Sequence, residues 1–224
     1  PSVPVVAETV ALHTIFELQR ATGARVHICR LSSSEGIDLV RQAKRQGLPV
    51  TADVGIHHVH LIDVDIGYFD PNFRLDPPLR GTRDRDAIIA GLADGTIDII
   101  CSDHAPIGED DKLLPFGEAE PGASALETLL PLTLKWATEN DIPLTQALTK
   151  VTSGPAEILS KGSPKGRLSV DAKADVVVFD PSAPWVVSAE TLVSAGKNTP
   201  FAGYELEGCV RYTLVGGEIR YVRS

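Results

Sequence analysis

Three short β-rich runs end on polar side chains, and helix-period segments lie between them. Residues 25–30 (RVHICR), 50–54 (VTADV) and 97–102 (IDIICS) are each of strand length. They run into Arg30, into His57 and His58, and into Asp103 and His104. Residues 8–21, 35–46 and 83–93 place apolar side chains three and four apart, which reads as one buried helix face. Gly23, Gly47 followed by Pro49, and Gly95 supply the stops, and Ser32, Ser33 or Ser34 can cap the second helix. Residues 63–80 hold Pro71, Pro77 and Pro78 and read as irregular chain. Strands alternating with helices in this way form parallel β/α units, because each crossover returns the chain to the same end of the sheet.

The texture then changes. Residues 107–122 form a long acidic loop with glycine and proline, and loops of that length carry function or move. The spacing predicts helices over 123–139, 144–150 and 154–160. Beyond Gly162 the pattern is β: 175–180, 185–187, and a hairpin of 210–214 with 218–222 around Gly216 and Gly217. The expected organisation is a β/α domain over 1–160 and a small β-rich module over 161–224.

Composition narrows the class. With 43% hydrophobic residues the 224-residue chain can bury a core, which excludes a disordered tail. Thirty acidic against twenty-one basic residues give a net charge of −9, the wrong sign for a nucleic-acid partner. No apolar run approaches the ~20 residues needed to cross a bilayer as a helix. Cys29, Cys101 and Cys209 are widely spaced and odd in number, as reduced packing thiols of a cytoplasmic protein would be. The chain contains no Met and enters a helix almost at once, as a piece of a longer domain would.

Strand ends of one polarity are where β/α barrels gather their active sites. His and Asp there suit zinc, and an Asp beside metal-bound water can serve as general base. Each residue also has a plainer reading. His57 and His58 can be core or helix-start histidines, Asp103 a turn residue, and His13, His27 and His60 structural. His58 and Asp103 at successive strand ends favour a site.

The blocks HICRLSS, TADVGIHH, RLDPPLR, CSDHAP, PFGEAEPGASALETLLPL and KNTPFAG, in that order, resemble dihydroorotase, a zinc amidohydrolase of pyrimidine biosynthesis. The resemblance implies the second half of a TIM-type (β/α)8 barrel plus a small C-terminal β-rich module. It also implies chemistry that interconverts dihydroorotate and carbamoyl aspartate. By the same resemblance His58 and Asp103 are metal positions, Asp103 is also the general base, and Asp76, Pro115 and Gly117 face substrate.

Several positions depart from the family. Arg30 stands where a zinc-ligating His is usual, and a guanidinium stays protonated with no lone pair to give. Asp76 replaces a common Asn, and Ile107 replaces a His that contacts substrate carboxylate. The early His-x-His pair and the bridging carboxylate or carboxylated Lys of active members would precede residue 1. The HVH at 58–60 follows a later strand and is not that pair. The expectation is therefore a dihydroorotase-like protein with lost catalysis and zinc absent or weakly bound. The implied partner is aspartate transcarbamoylase. The open half-sheet implies an oligomer or pairing with further chain. The alternative is an active zinc dihydroorotase that draws its other ligands from elsewhere. A third reading is a protein that binds a pyrimidine-like ligand without turnover.

Overall fold

The computed structural model describes residues 3–160 and 165–223. Its packing divides the chain into two compact units, one of residues 1–126 with 194–200, the other of residues 127–193 with 201–224. This division differs from the change of texture near residue 160. The predicted turning point at Gly162 lies outside the described residues.

In the first unit the elements alternate as the spacing predicts. Helix α1 spans Val5–Thr22, strand β1 Val26–Ile28, α2 Ser34–Arg45 and β2 Val50–Gly55. A short helix α3, Ile56–His60, leads through two 3-10 turns to α4, Thr82–Asp94, then β3, Ile99–Cys101, and α5, Glu109–Lys112. The sheet order is β1-β2-β3 and both pairings are parallel, with Val26 beside Val50 and Asp53 beside Ile99. Ala52, Val54 and Ile28 are buried, so one face of the sheet supplies core.

Local chemistry sets the joints. The Ser33 hydroxyl accepts from Gly36 N at 3.0 Å and caps α2. The Glu8 carboxylate of α1 reaches the same helix start and accepts from the backbone N–H of Ser32 and Ser33, both at 3.1 Å. It also accepts from their hydroxyls at 2.5 and 2.7 Å. A carboxylate at a helix N-terminus answers both the unpaired amides and the helix dipole.

The second unit holds α6, Leu129–Glu139, α7, Leu144–Thr149, and α8, Ser153–Leu159. It also holds an antiparallel sheet of β4, Val176–Val186, β5, Glu205–Val215, and β6, Glu218–Val222, in that order. β5 packs on α6 at Gly208 (φ 109°), where a Cβ would lie 2.7 Å from Leu134 Cδ1. That approach puts α6 with the β sheet. Gly216 and Gly217 turn the β5–β6 hairpin where the sequence places it. The runs 175–180 and 185–187 are one bulged strand rather than two.

The predicted helix 123–139 begins only at Leu129. Ala123 instead bridges His104 in parallel, Ser124 N donates to Asn198 O at 2.7 Å, and Ala125 N donates to His104 Nδ1 at 3.0 Å. The parallel bridge to His104 holds the chain extended at Ala123, so the helix forms only beyond this stretch.

Two outcomes follow from these joints. Glu8→Ala leaves the buried Ser32 and Ser33 donors without their acceptor, and a loss of ~1–3 kcal/mol in urea unfolding is expected. The second concerns the buried imidazoles of α3. Burial foremost pushes His57 down to about 3, with His58 and His60 adding to it. Burial likewise pushes His58 to about 4. Unfolded, both take up protons near 6.5, whereas folded they stay neutral until far lower pH. Stability therefore falls as pH drops below 6.5, by roughly tenfold in the folding equilibrium per pH unit for each imidazole. Denaturant midpoints measured between pH 6.5 and about 5 should show the slope, and His57→Gln should about halve it.

Candidate functional site

The ends of β1, β2 and β3 converge, and each delivers one polar side chain. Arg30 follows β1 in a left-handed turn (φ 58°), held there by its own N–H, which donates to Asp53 Oδ1 at 2.6 Å. Asp103 follows β3 with φ 48°, a conformation Asp tolerates better than most residues. His58 sits on α3 just past β2.

Gly55 lies beside both His58 and Asp103. A Cβ there would lie 3.4 Å from Asp103 Cβ, 3.5 Å from His58 Nδ1 and 3.6 Å from Asp103 Oδ2. These are ordinary contact distances, so Gly55 marks the point on the strand end that imidazole and carboxylate both approach.

The tautomer of His58 follows from its surroundings. Nε2 lies 3.0 Å from Pro77 O and 3.4 Å from Pro78 O, both acceptors, so Nε2 carries the proton. Nδ1 then presents a lone pair, buried and without a hydrogen-bond partner. Burial is the main cause of its low pKa, opposed by the two proline carbonyls and aided by Arg80 and Arg30. Asp103 is raised above the usual carboxylate range, chiefly by burial. Arg30 pulls it down, while Asp53 and Asp76 push it up.

The Arg30 guanidinium completes the group. Nη1 donates to Asp76 O at 2.7 Å and lies 3.5 Å from Asp103 Oδ1. The contact with Asp76 uses its backbone; the Asp76 side chain is exposed. Pro115 and Gly117 lie in the loop that follows α5. Both are exposed, Pro115 O closes a turn by accepting from Glu118 and Ala119, and nothing lies within 4 Å of a Cβ placed on Gly117. The structure therefore gathers Arg30, His58, Asp103 and the Asp76 backbone.

These residues bear on whether zinc fits. A buried imidazole lone pair whose other nitrogen donates to a carbonyl is ligand-like. Asp103 adds an oxygen. The third strand end offers a cation where catalytic zinc needs three protein ligands and an open position. Arg30, His58 and Asp103 do not by themselves make a zinc site.

Two contributors escaped the sequence reading. Asn198, 7% exposed, accepts from Ile107 N at 2.9 Å and Ser124 Oγ at 3.2 Å, and donates to Ala105 O and Gly122 O. It staples the two ends of the acidic loop, and the KNTPFAG block was its only signal. His27, read as structural, bonds Asp53 Oδ2 at 3.0 Å and Thr51 Oγ1 at 2.8 Å beside Cys29, which is exposed rather than packed. Among the described residues no helix is long and apolar enough to cross a membrane.

Comparison with known proteins agrees with this geometry. The amidohydrolase family model matches residues 6–221. A dihydroorotase-like protein of Pseudomonas putida is 42% identical over 219 residues, 98% of this chain and 51% of that protein. A dihydroorotase of Geobacillus sp. (strain WCH70) is 42% identical over 97% of this chain and 51% of its own length. The chain thus spans about half the length of the curated relatives it matches. Among solved structures, L-hydantoinase (dihydropyrimidinase) from Arthrobacter aurescens superposes with a TM-score of 0.91 at 27% identity, over 100% of this chain and 51% of that one. A parallel β/α sheet with polar strand ends, a separate antiparallel sheet and these likenesses place the chain in the amidohydrolase family, among dihydroorotases and dihydroorotase-like proteins.

Proposed function

We propose that this chain belongs to a dihydroorotase-like protein of pyrimidine biosynthesis whose strand-end site has lost its catalysis. The observation that carries this reading is Arg30, whose Nη1 lies 3.5 Å from Asp103 Oδ1 where a third zinc ligand would be needed. A fixed positive charge beside the remaining donors repels a dication, weakly screened where the groups are partly buried. Asp103 is engaged by that guanidinium, so it serves as a charge partner rather than as the base for a metal-activated water. General-base help alone is worth ~10²–10⁴-fold, well below the ~10⁶-fold or more of enzymes.

A structural role is the natural remainder. The resemblance names aspartate transcarbamoylase as the partner, and an open parallel sheet favours pairing with a second copy or further chain. Cytoplasmic residence goes with that role and with free thiols. The alternative is an active zinc dihydroorotase that takes its missing ligands from elsewhere. Its support is the His58 Nδ1 lone pair, buried and without a hydrogen-bond partner.

Turnover decides between them. The purified full-length protein, incubated with zinc, should neither hydrolyse dihydroorotate nor cyclise carbamoyl aspartate above the uncatalysed rate. Arg30→His should raise zinc retention without restoring turnover. Measurable turnover by the unmodified protein, with about one zinc or more per chain, would replace this reading with the active enzyme. Sedimentation with added aspartate transcarbamoylase should show a joint species; its absence would remove the partner.

A further inference from the structure

The face of the parallel sheet opposite Ile28 and Ala52 carries a second group of donors. Side chains alternate along a strand, so His27 and Cys29 share one face of β1 and its extension, and Thr51 and Asp53 share that face on β2. The register places His27 beside Thr51. A nitrogen of His27, the sulfur of Cys29 and an oxygen of Asp53 all lie within 4.8 Å of one another. None of the three is a position that the family resemblance assigns to metal.

We propose that His27, Cys29 and Asp53 form a site for a borderline divalent cation of the zinc type. The donor set selects the class. One imidazole, one thiolate and one carboxylate suit zinc or cobalt, whereas magnesium and calcium take oxygen alone. Around tetrahedral zinc, with ligands at ~2.0–2.3 Å, neighbouring donors stand ~3.3–3.6 Å apart. His27 Nε2 and Asp53 Oδ2 are 3.0 Å apart already, and closing the triangle from 4.8 Å takes a shift of Cys29 of up to ~1.2–1.5 Å. A fourth position stays open to water, since Cys29 is exposed and His27 half-buried.

The proton balance is simple. Nε2 now donates to Asp53, and on binding the cation takes that place. The proton moves to Nδ1, which then donates to Thr51 Oγ1, 2.8 Å away, as the hydroxyl rotates to accept. The Cys29 thiol loses its proton to solvent, so one proton is released per ion bound. Asp53 is positioned before binding by Arg30 N at 2.6 Å and Cys101 Sγ at 3.5 Å, both on Oδ1.

The test is a titration of the reduced full-length protein with cobalt(II), followed by absorbance and by pH change. A thiolate-to-cobalt charge-transfer band that saturates with proton release is expected. Cys29→Ser should abolish the band while retaining the native far-UV circular dichroism. Asp53→Asn or His27→Gln should keep the band but weaken cobalt affinity by about tenfold or more. Cys101→Ser and Asp103→Asn should leave it unchanged. No band in the unmodified protein, a band that survives Cys29→Ser, or loss in Cys101→Ser or Asp103→Asn overturns the site. The band does not depend on turnover, so the outcome stands whether or not the protein proves active.

Discussion

The carboxylate of Asp53 on the middle strand holds the three strand ends together. It is 6% exposed, and a buried carboxylate is costly unless it accepts several hydrogen bonds. Here it accepts from Arg30 N, His27 Nε2 and Cys101 Sγ, at 2.6, 3.0 and 3.5 Å, which link β1, β2 and β3. Its own carbonyl takes Leu31 N at 3.0 Å. Residues 30 and 31 are thereby pinned as the chain leaves β1, and Arg30 is held at φ 58°, a conformation that costs an L residue ~1–2 kcal/mol. The guanidinium's approach to Asp103 follows from this anchor.

The charge arrangement around that approach is a compromise. Burial raises Asp103, and the nearby carboxylates of Asp53 and Asp76 add to the effect. Arg30 opposes both, so its positive charge helps to keep Asp103 ionised in a crowd of acids. The Arg30 side chain is 44% exposed, so its charge retains water on one side. An ion pair so placed contributes little net stability, yet it determines which cations can approach the Asp103 carboxylate.

The sequence made the β/α order legible because helix period and strand length leave direct marks. Gly23, Ser33 and Gly95 bound their helices as their side-chain chemistry requires. Residues 123–128 misled because their apolar spacing is helical, whereas their amides bond His104 and Asn198, the latter more than seventy residues away. Such distant partners leave no local periodicity. Asn198 was invisible for the same reason: its role consists of bonds to the loop at 105–124. His58 and Asp103 could be paired from their places at strand ends, but not their common approach to Gly55. The grouping of His27 with Asp53 needed the register of β1 on β2, which spacing along one chain does not specify.

Protein groups also meet each strand end. Asp53 is satisfied by backbone and side-chain donors, His58 Nε2 by proline carbonyls, and Asp103 by Arg30, so each strand end has a protein partner. A site whose geometry depends on an ion between carboxylates leaves repelling charges behind when the ion is lost. Here the Arg30 guanidinium lies beside the Asp103 carboxylate and remains hydrated on one side. The architecture stays close to that of L-hydantoinase from Arthrobacter aurescens, with a TM-score of 0.91 at 27% identity, and Arg30 brings a cation to one strand end. Core packing beneath the sheet and hydrogen bonds at its ends maintain the fold, and the chemistry at the strand ends is free to diverge.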